Sequence, residues 1–157
     1  MKQVKTNAIR MLDKQKITYE IMQYPLKGNE PAVDVPTYLG FTRDDLFKTL
    51  VTTDTNRNYF VFCIQSSQEL DLKKAAACAG VKRIEMLKQK DLLGLTGYIH
   101  GGCSPIGMKK HFQTFFDDRC QTKENIIVSA GKVGVLMKLK TEDLLQAAQA
   151  TVVSVIK

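Results

Sequence analysis

The sequence predicts a mixed α/β (α+β) fold: a curved mixed sheet with helices packed around it. Two observations carry this prediction. Strand-like runs interleave with helical patterns along the whole chain, and tight turns join neighbouring strand runs into hairpins, which an all-parallel sheet does not contain. A third sets the scale. A chain of 157 residues, 44% hydrophobic and 25% charged, fits one domain, 1–157, with a sizeable core.

Each element has a local reason. Val4 to Gln15 places Val4, Ala8, Ile9, Met11 and Leu12 at helical spacing, with Thr6 or Asn7 as cap. Ile17 to Tyr24 is rich in β-formers and ends at Pro25. Leu26 to Pro31 reads as a loop. Asp34 to Leu39 is a short helix stopped by Gly40, with Pro36 tolerable only in its first turn. Phe47 to Thr53 and Tyr59 to Gln65 are the clearest strands, joined by the turn Asp54 to Asn58. Asp71 caps a helix that runs to Ala79 and stops at Gly80. Lys82 to Met86 reads as a short strand, Lys88 to Leu93 as a short helix ended by Gly94, and Lys110 to Phe116 as a strand. Asn125 to Ser129 and Val133 to Leu139 pair around a turn at Ala130-Gly131-Lys132. A helix from Thr141 to Gln149 and a strand from Thr151 to Ile156 close the chain.

Composition narrows the function. No apolar run approaches the ~20 residues of a membrane span. Met1 to Leu12 lacks the apolar stretch of a secretory signal, so a cytoplasmic location is expected. The four cysteines, Cys63, Cys78, Cys103 and Cys120, match no zinc or redox spacing and read as free thiols. No His, Asp and Glu pattern calls for a metal or cofactor. Lys and Arg outnumber Asp and Glu by 23 to 16, a net charge of +7. That excess favours a polyanionic partner, against the plainer reading of a solvated basic face. It is locally concentrated: Lys73, Lys74, Lys82, Arg83, Lys88 and Lys90 stand against Glu85 alone.

Three segments can carry chemistry. Lys48 interrupts the apolar run Phe47 to Val51. Such a lysine either protects a sheet edge or places a cation at a pocket mouth to hold a phosphate or ribose oxygen. The run Gly101-Gly102-Cys103-Ser104-Pro105-Ile106-Gly107 is either a tight turn or a loop whose amides face a developing oxyanion, with the Ser104 hydroxyl as a further donor. Ser129-Ala130-Gly131-Lys132 is a hairpin turn or the border of the same pocket. Cys103 as a nucleophile needs a base and a lowered pKa. His100 and His111 have no evident group to orient them.

Taken in order and spacing, Phe47-Lys48-Thr49-Leu50, Asp71-Leu72-Lys73-Lys74-Ala75-Ala76, Gly80-Val81-Lys82-Arg83, Thr96-Gly97-Tyr98, the Gly101 to Gly107 loop and Ser129-Ala130-Gly131-Lys132 make a specific set. The chain resembles the YbaK family of aminoacyl-tRNA editing proteins, relatives of the editing domain of bacterial prolyl-tRNA synthetase. The resemblance runs nearly end to end. It implies a barrel-like curved sheet and a trans-editing deacylase that hydrolyses the ester of Cys-tRNA(Pro), with Cys-tRNA(Cys) as a further substrate. It implies Lys48, Gly101 and Gly102 as catalytic residues. Tyr24, Thr49, Ser104, Pro105, Ser129 and Gly131 would line the substrate site. No cofactor is implied. The partners implied are the 3′ end of an aminoacylated tRNA and prolyl-tRNA synthetase, with no membrane and no metal.

An aminoacyl ester is already activated, so positioning and oxyanion stabilisation suffice without a triad. In the YbaK branch the substrate's own thiol can attack its carbonyl. The alternatives are the same chemistry on Ala-tRNA(Pro) or another small mischarged residue, or a non-catalytic tRNA-binding module that docks on the synthetase. Three positions depart from the family pattern: Cys103 where an aliphatic residue is expected, Ala130 where a second glycine is common, and Val35-Pro36 in a helix expected to be plainer.

Overall fold

The computed structural model describes residues 4–157. The first three positions of the Met1 to Leu12 segment, read above as no secretory signal, lie outside the described residues. Among the described residues ten strands and five α-helices interleave along the chain as the pattern predicts, and the fold is mixed α/β.

The centre is β5 (Tyr59–Gln65), apolar along nearly its whole length. It lies mid-sheet, antiparallel to β4 (Phe47–Thr53) and parallel to β7 (Gln113–Asp117), in the order β10-β7-β5-β4-β6. A strand buried on both faces has no reason to alternate, and this one does not. The outer strands are β6 (Glu85–Met86) and β10 (Thr151–Val153). On one face, Phe60, Phe62, Ile64 and Phe115 pack with Ala75 and Ala76 of α3 (Leu72–Ala79). There Phe62 stacks on Phe115 with centroids 4.9 Å apart. The Asp71 carboxylate accepts from the Lys73 and Lys74 amides and caps α3, and Gly80 stops it in the left-handed conformation.

A second sheet, β1-β9-β8, supplies the other core wall. It comprises β1 (Tyr19–Gln23), β8 (Asn125–Lys132) and β9 (Val135–Lys140). Ile126, Val128 and Ala130 of β8 and Met137 of β9 meet Phe47, Val51, Val61 and Phe116 of the first sheet. Ala8, Ile9 and Leu12 of α1 (Asn7–Lys14) and Leu144 and Ala147 of α5 (Thr141–Ala147) join the same cluster. The curvature expected from the sequence takes the form of two sheets joined at one point, a parallel bridge between Leu46 and Ile127.

Four local features differ from expectation. Leu26 to Pro31 is a minimal hairpin of β2 (Leu26–Lys27) and β3 (Glu30–Pro31), leading to α2 (Val35–Leu39). Two-residue strands are too short to leave a pattern. The helix α4 (Gln89–Thr96) runs through Gly94 and ends at Gly97. Short 3₁₀ segments occupy Arg43–Asp45 and Asp118–Thr122. Finally, β8 continues past the predicted turn to Lys132, with its register shifting between Ser129 and Lys132. The bend at Ala130-Gly131-Lys132 is a bulge, and Val133-Gly134 makes the hairpin turn.

Candidate active site

Lys48 sits on the outer edge of β4. One end of that edge is bridged to β8 at Leu46, and the other is paired with β6 at Thr52 and Thr53. The Leu87 amide donates to the Val51 carbonyl at 3.0 Å, completing that end. Between these points no strand pairs with the edge among the described residues. Lys48 is half-buried in this gap, opposite Ile64 on β5 and on the same face as Leu50. No ion pair or hydrogen bond engages its ammonium among the described residues. The parallel bridge brings β8 to this edge, with Lys48 two residues beyond bridged Leu46 and Ser129 two residues beyond bridged Ile127. Ser129 is itself ordered by its own turn: its Oγ accepts from the Gly131 amide at 3.2 Å.

Thr49 points to the opposite face of β4, where its hydroxyl lies 3.7 Å from the buried Cys63 Sγ. The structure does not bring Thr49 together with Lys48 on one face of the strand. Strand alternation dictates this separation.

The glycine loop is packed against the turn that follows β8. Gly102 is buried, and a Cβ there would lie 2.9 Å from the Val133 nitrogen and 3.1 Å from the Lys132 carbonyl carbon. Glycine is therefore required for backbone to approach backbone. The Gly102 amide donates to the Ile99 carbonyl at 2.9 Å. This amide is therefore engaged within the loop itself. The amides of Gly101 and Cys103 donate to no acceptor among the described residues. Ser104 is fully buried and its hydroxyl has no partner there, an exception to the usual pairing of buried polar atoms. Pro105 is buried beside it.

Tyr24 follows β1 and joins the same turn through its amide, which donates to the Gly134 carbonyl at 3.1 Å. Tyr24, Gly102 and the Lys132 to Gly134 backbone thus converge at one end of the β8–β9 hairpin. Ser129 and Gly131 stand just before it.

One organising residue carried no assigned role in the sequence reading. Tyr98 is buried, and its hydroxyl donates to the Ile106 carbonyl at 2.7 Å. Its ring lies against Gly131, and its hydroxyl against Gly107, whose added Cβ would come within 2.6 Å of both that oxygen and the Ala8 nitrogen. Burial pushes the Tyr98 phenol well above the ordinary tyrosine range. The Thr6 hydroxyl, which caps α1, also donates to the Ala130 carbonyl. Tyr98 and α1 therefore clamp the loop to the bulge. The signal was the triplet Thr96-Gly97-Tyr98: Gly97 ends α4, and Thr96 Oγ1 accepts from the Tyr98 amide at 3.0 Å.

Cys103 is buried, and burial pushes its thiol up to about 12. A protonated thiol at neutral pH is a poor nucleophile. His100 and His111 are both exposed. Among the described residues, no group of three or more His, Cys, Asp or Glu is placed to hold a metal ion. No described helix is long and apolar enough to cross a membrane.

Comparison with known proteins agrees with this architecture. The model of the aminoacyl-tRNA editing domain matches residues 30–147. An Enterococcus faecalis protein named "Putative Cys-tRNA(Pro)/Cys-tRNA(Cys) deacylase EbsC" is 45% identical over 144 residues, 91% of this chain and 88% of the relative. A proline–tRNA ligase of Shouchella clausii is 29% identical over 96 residues, 61% of this chain but 17% of the ligase. The fold is shared with the crystal structure of "a putative trans-editing enzyme for prolyl tRNA synthetase", at a TM-score of 0.84 and 19% identity over 99% of both chains. The chain belongs to the aminoacyl-tRNA editing domain family.

Proposed function

We propose that this protein is a trans-editing deacylase that hydrolyses the ester between cysteine and the 3′-terminal ribose of tRNA(Pro), and of tRNA(Cys) as a second substrate. The observation that carries this reading is the 45% identity, over nearly the full length of both chains, to a protein named for that activity. The geometry suits it. Lys48 has no ion-pair partner among the described residues and lies on an open sheet edge, suited to hold the terminal phosphate or ribose. The Gly101 and Cys103 amides are the loop donors free to polarise the ester carbonyl, in place of the Gly102 amide. Ser104, Pro105, Ser129, Gly131 and Tyr24 complete the substrate site as its wall and floor. Residues 1–157 act as one editing domain.

The chemistry needs little more. Attack on the carbonyl carbon breaks the acyl–oxygen bond, and the ribose hydroxyl leaves with a proton. The loop supplies no ionised thiol, so the nucleophile is water, which gives free cysteine directly, or the cysteinyl thiol of the substrate, which gives a cyclic thioester that water then opens. In either case the proton lost by the nucleophile goes to the leaving ribose oxygen. The activated ester leaves positioning and charge stabilisation as the protein's tasks. Prolyl-tRNA synthetase, the source of the mischarged tRNA, is the expected partner.

The test is release of amino acid from Cys-tRNA(Pro), Ala-tRNA(Pro) and Pro-tRNA(Pro) by wild type and Lys48→Ala. Selective loss of cysteine that depends on Lys48 is expected. Selective loss of alanine would move the specificity to a different editing substrate. Hydrolysis of none would leave a tRNA-binding module.

A further inference from the structure

We propose that the acceptor arm of the tRNA lies along the outer edge of β4, its phosphates held by Lys82, Arg83, Lys88 and Lys90. This rests on the tRNA-ester reading above and adds the surface that receives the RNA.

The basic run of the sequence divides in the folded chain. Lys73 and Lys74 lie on the first turn of α3, where the Lys74 ammonium donates to the Ile156 carbonyl at 3.0 Å. They belong to the end of the molecule where Leu70 is bridged to Ile156. The other four flank β6: Lys82 and Arg83 precede it, and Lys88 and Lys90 follow it. All four are exposed. None is in an ion pair among the described residues, whereas Lys5, Arg43, Lys123 and Lys157 each lie within 4 Å of an acid. The local acids are Glu85 on β6, Asp91 on α4 and the largely buried Asp54 on the β4–β5 turn, which still leaves the patch positive. Arg57, on the β4–β5 turn, extends it across a shallow groove bordered by Tyr59 and Lys90.

Position decides the partner. β6 pairs with Thr52 and Thr53, on the same edge of β4 as Lys48 and four to five residues further along. At ~3.3 Å per residue that is roughly 15 Å. Stacked nucleotides advance ~3.4 Å each, so the four unpaired nucleotides of a tRNA 3′ end reach about 14 Å. A terminal ribose at Lys48 thus brings the first paired phosphates of the acceptor arm to β6. Long exposed cations hold phosphates without reading bases, which suits a deacylase that takes its tRNA by shape and charge.

The test compares wild type with a Lys82→Gln, Arg83→Gln, Lys88→Gln, Lys90→Gln variant, with melting temperatures confirming that both are folded. The two paired variants, Lys82→Gln with Arg83→Gln and Lys88→Gln with Lys90→Gln, serve if the fourfold change unfolds the chain. Binding of uncharged tRNA(Pro) should weaken at least about tenfold at low salt, and its log–log salt slope should fall by about 3. Turnover of Cys-tRNA(Pro) should fall in parallel, while hydrolysis of the cysteinyl ester of adenosine stays unchanged. Unchanged tRNA binding, or an equal loss on both esters, would overturn the assignment. So would a loss that appears only with prolyl-tRNA synthetase present, which would make the patch a protein-docking surface. If wild type binds tRNA through these residues but hydrolyses neither ester, the surface stands and the deacylase reading fails.

Discussion

The Gly101 to Gly107 loop and the open stretch of β4 differ in how far the fold accounts for them. In the loop, packing dictates residue type: Gly102 meets the Val133 nitrogen, Gly107 meets α1 and Tyr98, and the Gly102 amide closes a turn onto Ile99. At Lys48 the fold demands nothing of the ammonium. It caps no helix, pairs with no acid among the described residues and fills no core site. The comparison teaches that a motif's glycines can be fixed by packing while its lysine is left to the ligand. Changes at the packed glycines Gly102 and Gly107 should therefore appear in stability, and changes at Lys48 in turnover.

The strongest way to break this contrast is at Gly107. Its φ of +76° already strains any L side chain, and a Cβ would collide with the Ala8 nitrogen. Gly107→Ala should cost about 3 kcal/mol or more by urea unfolding. Gly40 is the control: its φ is +78°, but a Cβ there meets nothing within 4 Å. Gly40→Ala should cost only about 1 kcal/mol. Equal losses would show that strain, and not contact, fixes the loop glycines.

Tyr98→Phe comes next. It removes the donor to the buried Ile106 carbonyl and should cost about 1–2 kcal/mol in the same assay. A pH series sharpens the comparison on α3, away from both regions. Hydrogen bonds from the Lys74 and Lys73 amides hold the Asp71 carboxyl below its ordinary 3.8. A lowered folded pKa stabilises fully above the unfolded value and is lost as pH falls through the folded one. The stability gap between wild type and Asp71→Ala should therefore be widest near neutrality and close as pH drops below 3.8. The smallest effect is expected at Cys103. With its thiol raised to about 12, iodoacetamide at about pH 8 should leave deacylation unchanged. Cys103→Ser should alter turnover less than about threefold.

Much of this architecture is legible in the residues. β4, β5 and α3 occupy the predicted ranges because strong signals agree there: β-forming residues and the Asp54 to Asn58 turn bounding β4, a continuous apolar run on β5, and Asp71 and Gly80 bounding α3. The two misread glycines share one cause. Gly94 and Gly131 look like stops, but a glycine ends an element only when its own backbone turns there with free carbonyls to satisfy. Gly94 has no positive φ and stays helical. Gly131, at φ +99°, absorbs a bulge within β8. The site divides in the same way. A cation in an apolar strand marks Lys48 from sequence alone, because burying its charge unpaired is costly. That Thr49 faces Cys63 follows from the same alternation. That the Gly102 amide closes on Ile99 depends on a local turn no pattern encodes, and Tyr98 acts through contacts with segments distant in the chain.

Lys48→Met tests the central claim most directly, because it keeps the aliphatic stem beside Leu50 and removes only the charge. Melting temperature and Cys-tRNA(Pro) deacylation would be measured on the same preparation. The account predicts a melting temperature within about 2 °C of wild type and turnover reduced at least about 100-fold. Turnover near the wild-type rate, or a loss matched by a collapse in stability, would contradict it.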